Sequence, residues 1–122
     1  MDPVTGLSLG RIAIGAVTLA APDAGAKLFA LDPQGNPQLG FMGRLFGARE
    51  IALGAVTLVS KGALRRNLTL VGMAVDGADA ASAVIETSQG SIPKMAGGPM
   101  IGVALGAVAA GGAALAINRA KD

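Results

Sequence analysis

The chain has 122 residues, 52% of them hydrophobic before its 19 glycines are counted, with 15% charged and a net charge of +2. Soluble domains run at about 45–50% apolar with glycine included and about 25% charged, and three Phe with no Trp or Tyr leave a water-soluble core only small side chains that bury little area each. The absence of Cys and His excludes disulfides, thiol chemistry and the commonest metal ligand and general base, and a small scattered charge without stacking aromatics excludes a nucleic-acid surface.

What remains is a single domain of the all-α class, an integral membrane bundle of four transmembrane helices over residues 1–122. A spanning helix needs roughly 20 mostly apolar residues. The first such segment runs from about 4 to 21 and stops at Pro22 and Asp23. The first ten residues hold no Lys or Arg, so no basic leader is expected. Next comes KLFALDPQGNPQLG, where Asp32-Pro33, Gly35-Asn36 and Pro37 are turn chemistry. AKLFAL just inside it reads as a short interfacial helical turn.

The second apolar segment spans about 42–60 and the third about 67–85, joined by KGALRRN. That link is short enough to make them antiparallel neighbours. After ETSQGSIPK, the fourth segment, about 95–118, carries no charge at all. A soluble bundle helix would show a polar face at a 3.6-residue period, and this one has none. Charges near the centres of the other three weaken their claim to span, and the lack of Trp and Tyr belts counts mildly against a membrane. With four spans, Lys61, Arg65, Arg66, Arg119 and Lys121 share one side against Lys27, Arg44 and Lys94 on the other. The positive-inside rule then places both termini in the cytoplasm, with the chain multi-pass in the plasma (inner) membrane.

One phrase recurs. IAIGAVTL at Ile12–Leu19 returns 39 residues later as IALGAVTL at Ile51–Leu58, differing only at Ile14 against Leu53, and ALGAV appears again from Ala104. The flanking sequences do not match, which favours convergence of Ala-Gly-rich helices, or duplication of one helix, over a full internal repeat. Small residues also recur every fourth position at Gly98, Gly102, Gly106, Ala110 and Ala114. Such an extended GxxxG stripe lets helix backbones approach closely. Packing within the chain is the preferred reading; packing against another subunit is the alternative.

Arg11, Arg49 with Glu50, and Asp76 with Asp79 fall near the midpoints of the first three segments, within roughly 5 Å of the same depth at about 1.5 Å per residue. Each isolated charge at a bilayer centre costs at least about 2.5–3.5 kcal/mol, so two arginines are expected to pair with three carboxylates. That leaves one carboxylate without an arginine. Arg11 and Glu50 occupy equivalent positions in the two repeated phrases with opposite sign, which makes them a specific expected pair. A structural network that fixes helix register is preferred here over a proton or solute site. A spanning frame shifted by one turn would move Arg49 and Glu50 toward the interface.

RLFGAREIALGAVTL from Arg44 to Leu58, GRIAIGAVTLAAP and GMAVDGADAASA together resemble a family of small bacterial membrane proteins of unknown function. These have about four transmembrane helices and are frequent in high-GC bacteria. The resemblance implies a membrane fold and brings no activity or site residue with it. No nucleophile–base pair is recognisable, so no enzyme, catalytic residue, cofactor or metal is expected. The preferred function is a non-catalytic accessory or scaffold subunit of a larger membrane complex. Its partners would be the lipid bilayer and other subunits or a second copy of the chain. A small oligomeric transporter or channel using the charged layer is the alternative.

Overall fold

A computed structural model describes residues 2–121 of the backbone and side chains from 2 to 117. It contains α1 (Pro3–Ala20), α2 (Pro22–Leu28), α3 (Leu39–Val59), α4 (Gly62–Ser88) and α5 (Lys94–Lys121), with no strand among the described residues. Asp2 caps α1, its carboxylate accepting the Val4 N–H at 3.1 Å, and Pro3 starts the helix where no N–H is needed. Pro22 then opens α2 directly after Ala21. The helix thus begins four residues before the expected interfacial turn at AKLFAL. At the other end Gly90, at φ +81°, turns the chain out of α4 in the left-handed conformation that glycine adopts without strain.

α4 also starts earlier than the apolar pattern suggests. Lys61 is extended and the helix is under way from Gly62, so Arg65 and Arg66 belong to its first turns and not to a loop. Arg65 bonds Asp2 and Thr5 Oγ1 through Nη2 at 2.8 Å each and reaches the Thr57 carbonyl through Nη1 at 3.0 Å. One side chain therefore ties the first turn of α1 and the last turn of α3 to α4. Arg119 and Lys121, which enter the charge-based orientation, have side chains outside the described residues.

α1 packs along α3 and α4 along α5, and these two hairpin-like pairs meet along thinner seams, α1 on α5 and α3 on α4. The interior is built of small and polar side chains. Its apolar members are Val4, Ala26, Ala80, Ala83, Ala96 and Ala114, and beside them lie Ser8, Thr18, Thr57, Thr69, Arg11, Glu50 and Asp76. The large apolar side chains point outward, among them Leu9, Val17, Phe41, Leu45, Val59, Leu70, Ile85 and Leu105. That distribution is inverted relative to a water-soluble domain, in which Leu, Ile and Val fill the interior and charges avoid it. α1, α4 and the part of α5 from Lys94 to Ile117 are long and apolar enough to cross a membrane. α3 has the length, but Arg44, Arg49 and Glu50 fall together in every 18-residue stretch of it.

Candidate functional site: a charged network beside an apolar cavity

The two copies of the repeated phrase pack on each other. α1 and α3 run antiparallel, with Gly15 set against Gly47 and Ile51 on one side of their crossing and Gly54 against Ser8 and Ile12 on the other. A Cβ on Gly15 would lie 2.6 Å from the Gly47 carbonyl and 2.8 Å from Ile51 Cγ1; one on Gly54 would lie 2.7 Å from the Ser8 carbonyl and 2.8 Å from Ile12 Cγ1. Ile51 is the counterpart of Ile12, and Gly47 that of Ser8, 39 residues along. Each helix thus offers the same glycine groove to the same isoleucine of the other, a local two-fold relation about an axis across the pair. Only glycine permits so short a backbone separation.

That local symmetry explains the first ion pair. Residues at equivalent positions near such an axis face one another, and those residues are Arg11 and Glu50. Identical charges there would repel; the sign change converts the position into a contact of 3.0 Å between Arg11 Nη1 and Glu50 Oε2. Arg11 also forks onto Asp76 of α4, with Nη1 to Oδ1 at 3.0 Å and Nη2 to Oδ2 at 2.5 Å. Gly72, one turn before Asp76, leaves room for the guanidinium: a Cβ there would sit 2.8 Å from Arg11 Nη2. Bidentate pairing of this kind suits the planar guanidinium fork.

Arg49 forms the second half of the network. It donates to Asp79 through Nη1 at 3.2 Å and Nη2 at 2.7 Å, and reaches Glu50 Oε1 at 3.4 Å. Its guanidinium carbon stands 5.1 Å from the Phe46 ring centroid, a cation–π distance. Its Nε is buried without a hydrogen-bond partner among the described residues. The five charges therefore form one chain, Asp79–Arg49–Glu50–Arg11–Asp76. No carboxylate is left over, because Glu50 is shared by both arginines. This corrects the expectation of an unpartnered carboxylate. The network is graded in exposure: Arg11, Glu50 and Asp76 are 9%, 4% and 5% exposed, whereas the Arg49 and Asp79 side chains are 38% and 35% exposed.

The exposed half borders a cavity of about 600 Å³ between the α1–α3 and α4–α5 pairs. Arg11, Arg49, Glu50, Asp76 and Asp79 form one wall, and Glu86 lies further along α4. The remaining surface is mostly apolar, with Phe29 of the α2–α3 connection, Met42 and Phe46 of α3, and Met100 and Val103 of α5. Phe29 and Phe46 meet edge to face at 6.3 Å.

Glu50, Asp76 and Asp79 bring carboxylate oxygens within 4.8 Å of one another, but the two arginines already fill the space between them. A divalent cation would have to displace a guanidinium, so the arrangement suits ion pairing better than metal binding.

The small-residue stripe on α5 has a different position from the preferred reading. Gly98, Gly102, Gly106 and Ala110 are exposed, and a Cβ on any of the three glycines would meet nothing within 4 Å; only Ala114 is buried. Within the chain, α5 meets α4 through Gly97 against Thr87 and through Gly111 and Gly112 against Met73. Four-residue spacing identified small residues correctly but could not tell which side of the helix meets α4. The cavity and its acidic extension at Glu86 also escaped sequence reading, because no local pattern encodes a gap between two helix pairs.

Comparison with family models, with curated proteins and with solved structures finds no match to this chain.

Proposed function

We propose that the protein is a small multi-pass membrane protein that binds and carries a small solute through the cavity beside its charged network. The single observation that carries this reading is the cavity itself, about 600 Å³ with ion pairs on one wall and apolar side chains on the others. That volume lies within the roughly 300–1,000 Å³ usual for small-molecule sites, and a purely structural network gains nothing from bordering an open space. Arg11, Glu50 and Asp76, nearly buried at the back of the cavity wall, hold the helices in register. Arg49 and Asp79 face the cavity and are the pair that exchanges partners with a solute.

Four spans are consistent with this arrangement. Arg49 and Glu50 are turned to the interior and paired, which removes most of their cost in lipid. The outward apolar residues of α3 are Phe41, Leu45, Val56 and Val59, a surface suited to acyl chains, and the exposed Arg44 lies near enough to the start of the helix to reach the interface. Reconstitution into liposomes tests the function. The expected result is solute or proton flux that Asp79→Asn abolishes while the helical circular dichroism is unchanged. Flux that survives Asp79→Asn, or a loss explained entirely by unfolding, refutes the carrier reading.

A second reading has its own observation. The exposed face of α5 at Gly98, Gly102, Gly106 and Ala110 has the small-residue spacing that favours close helix association, which supports an accessory or scaffold subunit docked through α5. Purification in mild detergent followed by mass spectrometry separates the two: a stoichiometric membrane partner supports the scaffold, and a chain that runs alone counts against it.

A further inference from the structure

We propose that the cavity is a site for a hydrophobic organic cation, an ammonium or phosphonium carrying an apolar body. This names the solute class for the carrier reading above and rests on that reading only for the transport step. Two features of the cavity define the ligand.

The first is charge. Arg11 and Arg49 are the cationic side chains on its surface, and Glu50, Asp76, Asp79 and Glu86 the anionic ones. Two positive and four negative groups leave a surplus of two negative charges. Neither Lys27 nor Lys94, both exposed, contributes to the lining. Asp76, Asp79 and Glu86 lie on one face of α4 at offsets of three and seven residues, the recurrence that aligns side chains along a helix. Between them Ser82 and Ala83 keep that face narrow. The acids form a file from the buried Asp76, through the half-exposed Asp79, to the exposed Glu86. Glu86 accepts a hydrogen bond from Ser91 Oγ, and no ion pair involves it among the described residues. A cation between Asp79 and Glu86, about 10 Å apart along the axis, meets the negative excess without breaking the Arg11 contacts.

The second feature is the apolar part of the lining. Phe29, Phe46, Met42, Met100 and Val103 offer aromatic faces and flexible thioethers. A hydrated inorganic ion gains nothing from these, whereas an apolar body on a cation does. Phe46 already holds the Arg49 guanidinium over its ring, so the wall tolerates positive charge. An anionic amphiphile of the same shape would face four carboxylates and is excluded by the same charge balance.

Tetraphenylphosphonium and tetraphenylborate, matched in shape and opposite in charge, test this directly. Equilibrium dialysis with the purified full chain in dodecyl maltoside is expected to show saturable, near-stoichiometric binding of tetraphenylphosphonium and at least about tenfold weaker binding of tetraphenylborate. Glu86→Gln, on an exposed side chain, keeps an oxygen acceptor for Ser91 Oγ and is expected to weaken the phosphonium about two- to thirtyfold. Those limits correspond to one unit charge at about 8 Å in fully aqueous or surface-protein dielectric. Ala104→Phe fills the cavity from α5 without altering charge and is expected to abolish saturable binding.

Equal affinity for the two ions, binding that does not saturate, or affinity unchanged in both variants overturns the proposal. Saturable, charge-selective binding without flux in liposomes upholds the site and removes only the carrier reading. Flux of another solute with no phosphonium binding upholds the carrier and overturns the cation site.

Discussion

Replacing Arg11 with Met isolates what the buried half of the network contributes. The substitution keeps an unbranched apolar stem of similar reach and deletes the guanidinium. Three hydrogen bonds disappear: Nη1 to Glu50 and to Asp76 at 3.0 Å each, and Nη2 to Asp76 at 2.5 Å. Asp76 accepts no other hydrogen bond among the described residues, and Glu50 keeps only the 3.4 Å contact from Arg49. Both carboxylates are at most 5% exposed, so water entering from the cavity replaces the lost donors only in part. Neutral interhelical hydrogen bonds in membranes average only about 0.6 kcal/mol, but stranding buried charges by removing their partner costs about 3–5 kcal/mol. The second effect dominates here, because two carboxylates lose their principal counter-charge together.

Arg11→Met is therefore expected to destabilise the fold by about 3–5 kcal/mol. The measurement is far-UV circular dichroism during dodecyl sulfate titration in mixed micelles, since the chain has no Trp or Tyr for fluorescence. Adding Glu50→Gln and Asp76→Asn to Arg11→Met removes the stranded charges and is expected to restore at least about 2 kcal/mol. A single variant within about 1 kcal/mol of the parent would refute the reasoning, and so would a triple variant no more stable than the single one.

Other positions give sharper local tests. Gly15→Ala, whose Cβ would stand 2.6 Å from a backbone carbonyl, is expected to cost about 1–3 kcal/mol in the same titration. Gly102→Ala, with nothing within 4 Å, should be neutral or slightly stabilising through helix propensity; equal losses at both positions would contradict the helix contacts described. Arg65→Ala, which cuts the ties to Asp2, Thr5 and the Thr57 carbonyl, is expected to cost about 1–2 kcal/mol and to raise amide exchange in the first turn of α1. Because the parent contains no cysteine, Gln34→Cys and Lys61→Cys can be labelled cleanly in right-side-out vesicles. If α3 spans and the termini are cytoplasmic, an impermeant maleimide reaches Gln34→Cys and not Lys61→Cys; the reverse pattern would invert the orientation, and equal labelling of both would place α3 outside the bilayer.

Much of this protein was written locally. The apolar runs and the near absence of aromatics were enough to specify helices with an interior of small side chains, whereas Pro22, which reads as the stop of the first segment, also opens α2. The Arg11–Glu50 pair was legible because two near-identical phrases differ in sign at one position, and like surfaces that pack antiparallel bring equivalent positions together. Linear spacing also placed five charges at one depth, since helix rise is constant. It could not decide how they share partners. Glu50 bridges both arginines because the local two-fold of α1 on α3 sets it between them, and Asp76 reaches Arg11 because Gly72 leaves a gap on another helix. The outward turn of the α5 stripe and the cavity lined by Asp79 and Glu86 were fixed only when the two helix pairs docked. A helix carries its own periodicity in sequence, but its rotation against a neighbour, and the space left between neighbours, depend on every contact at once.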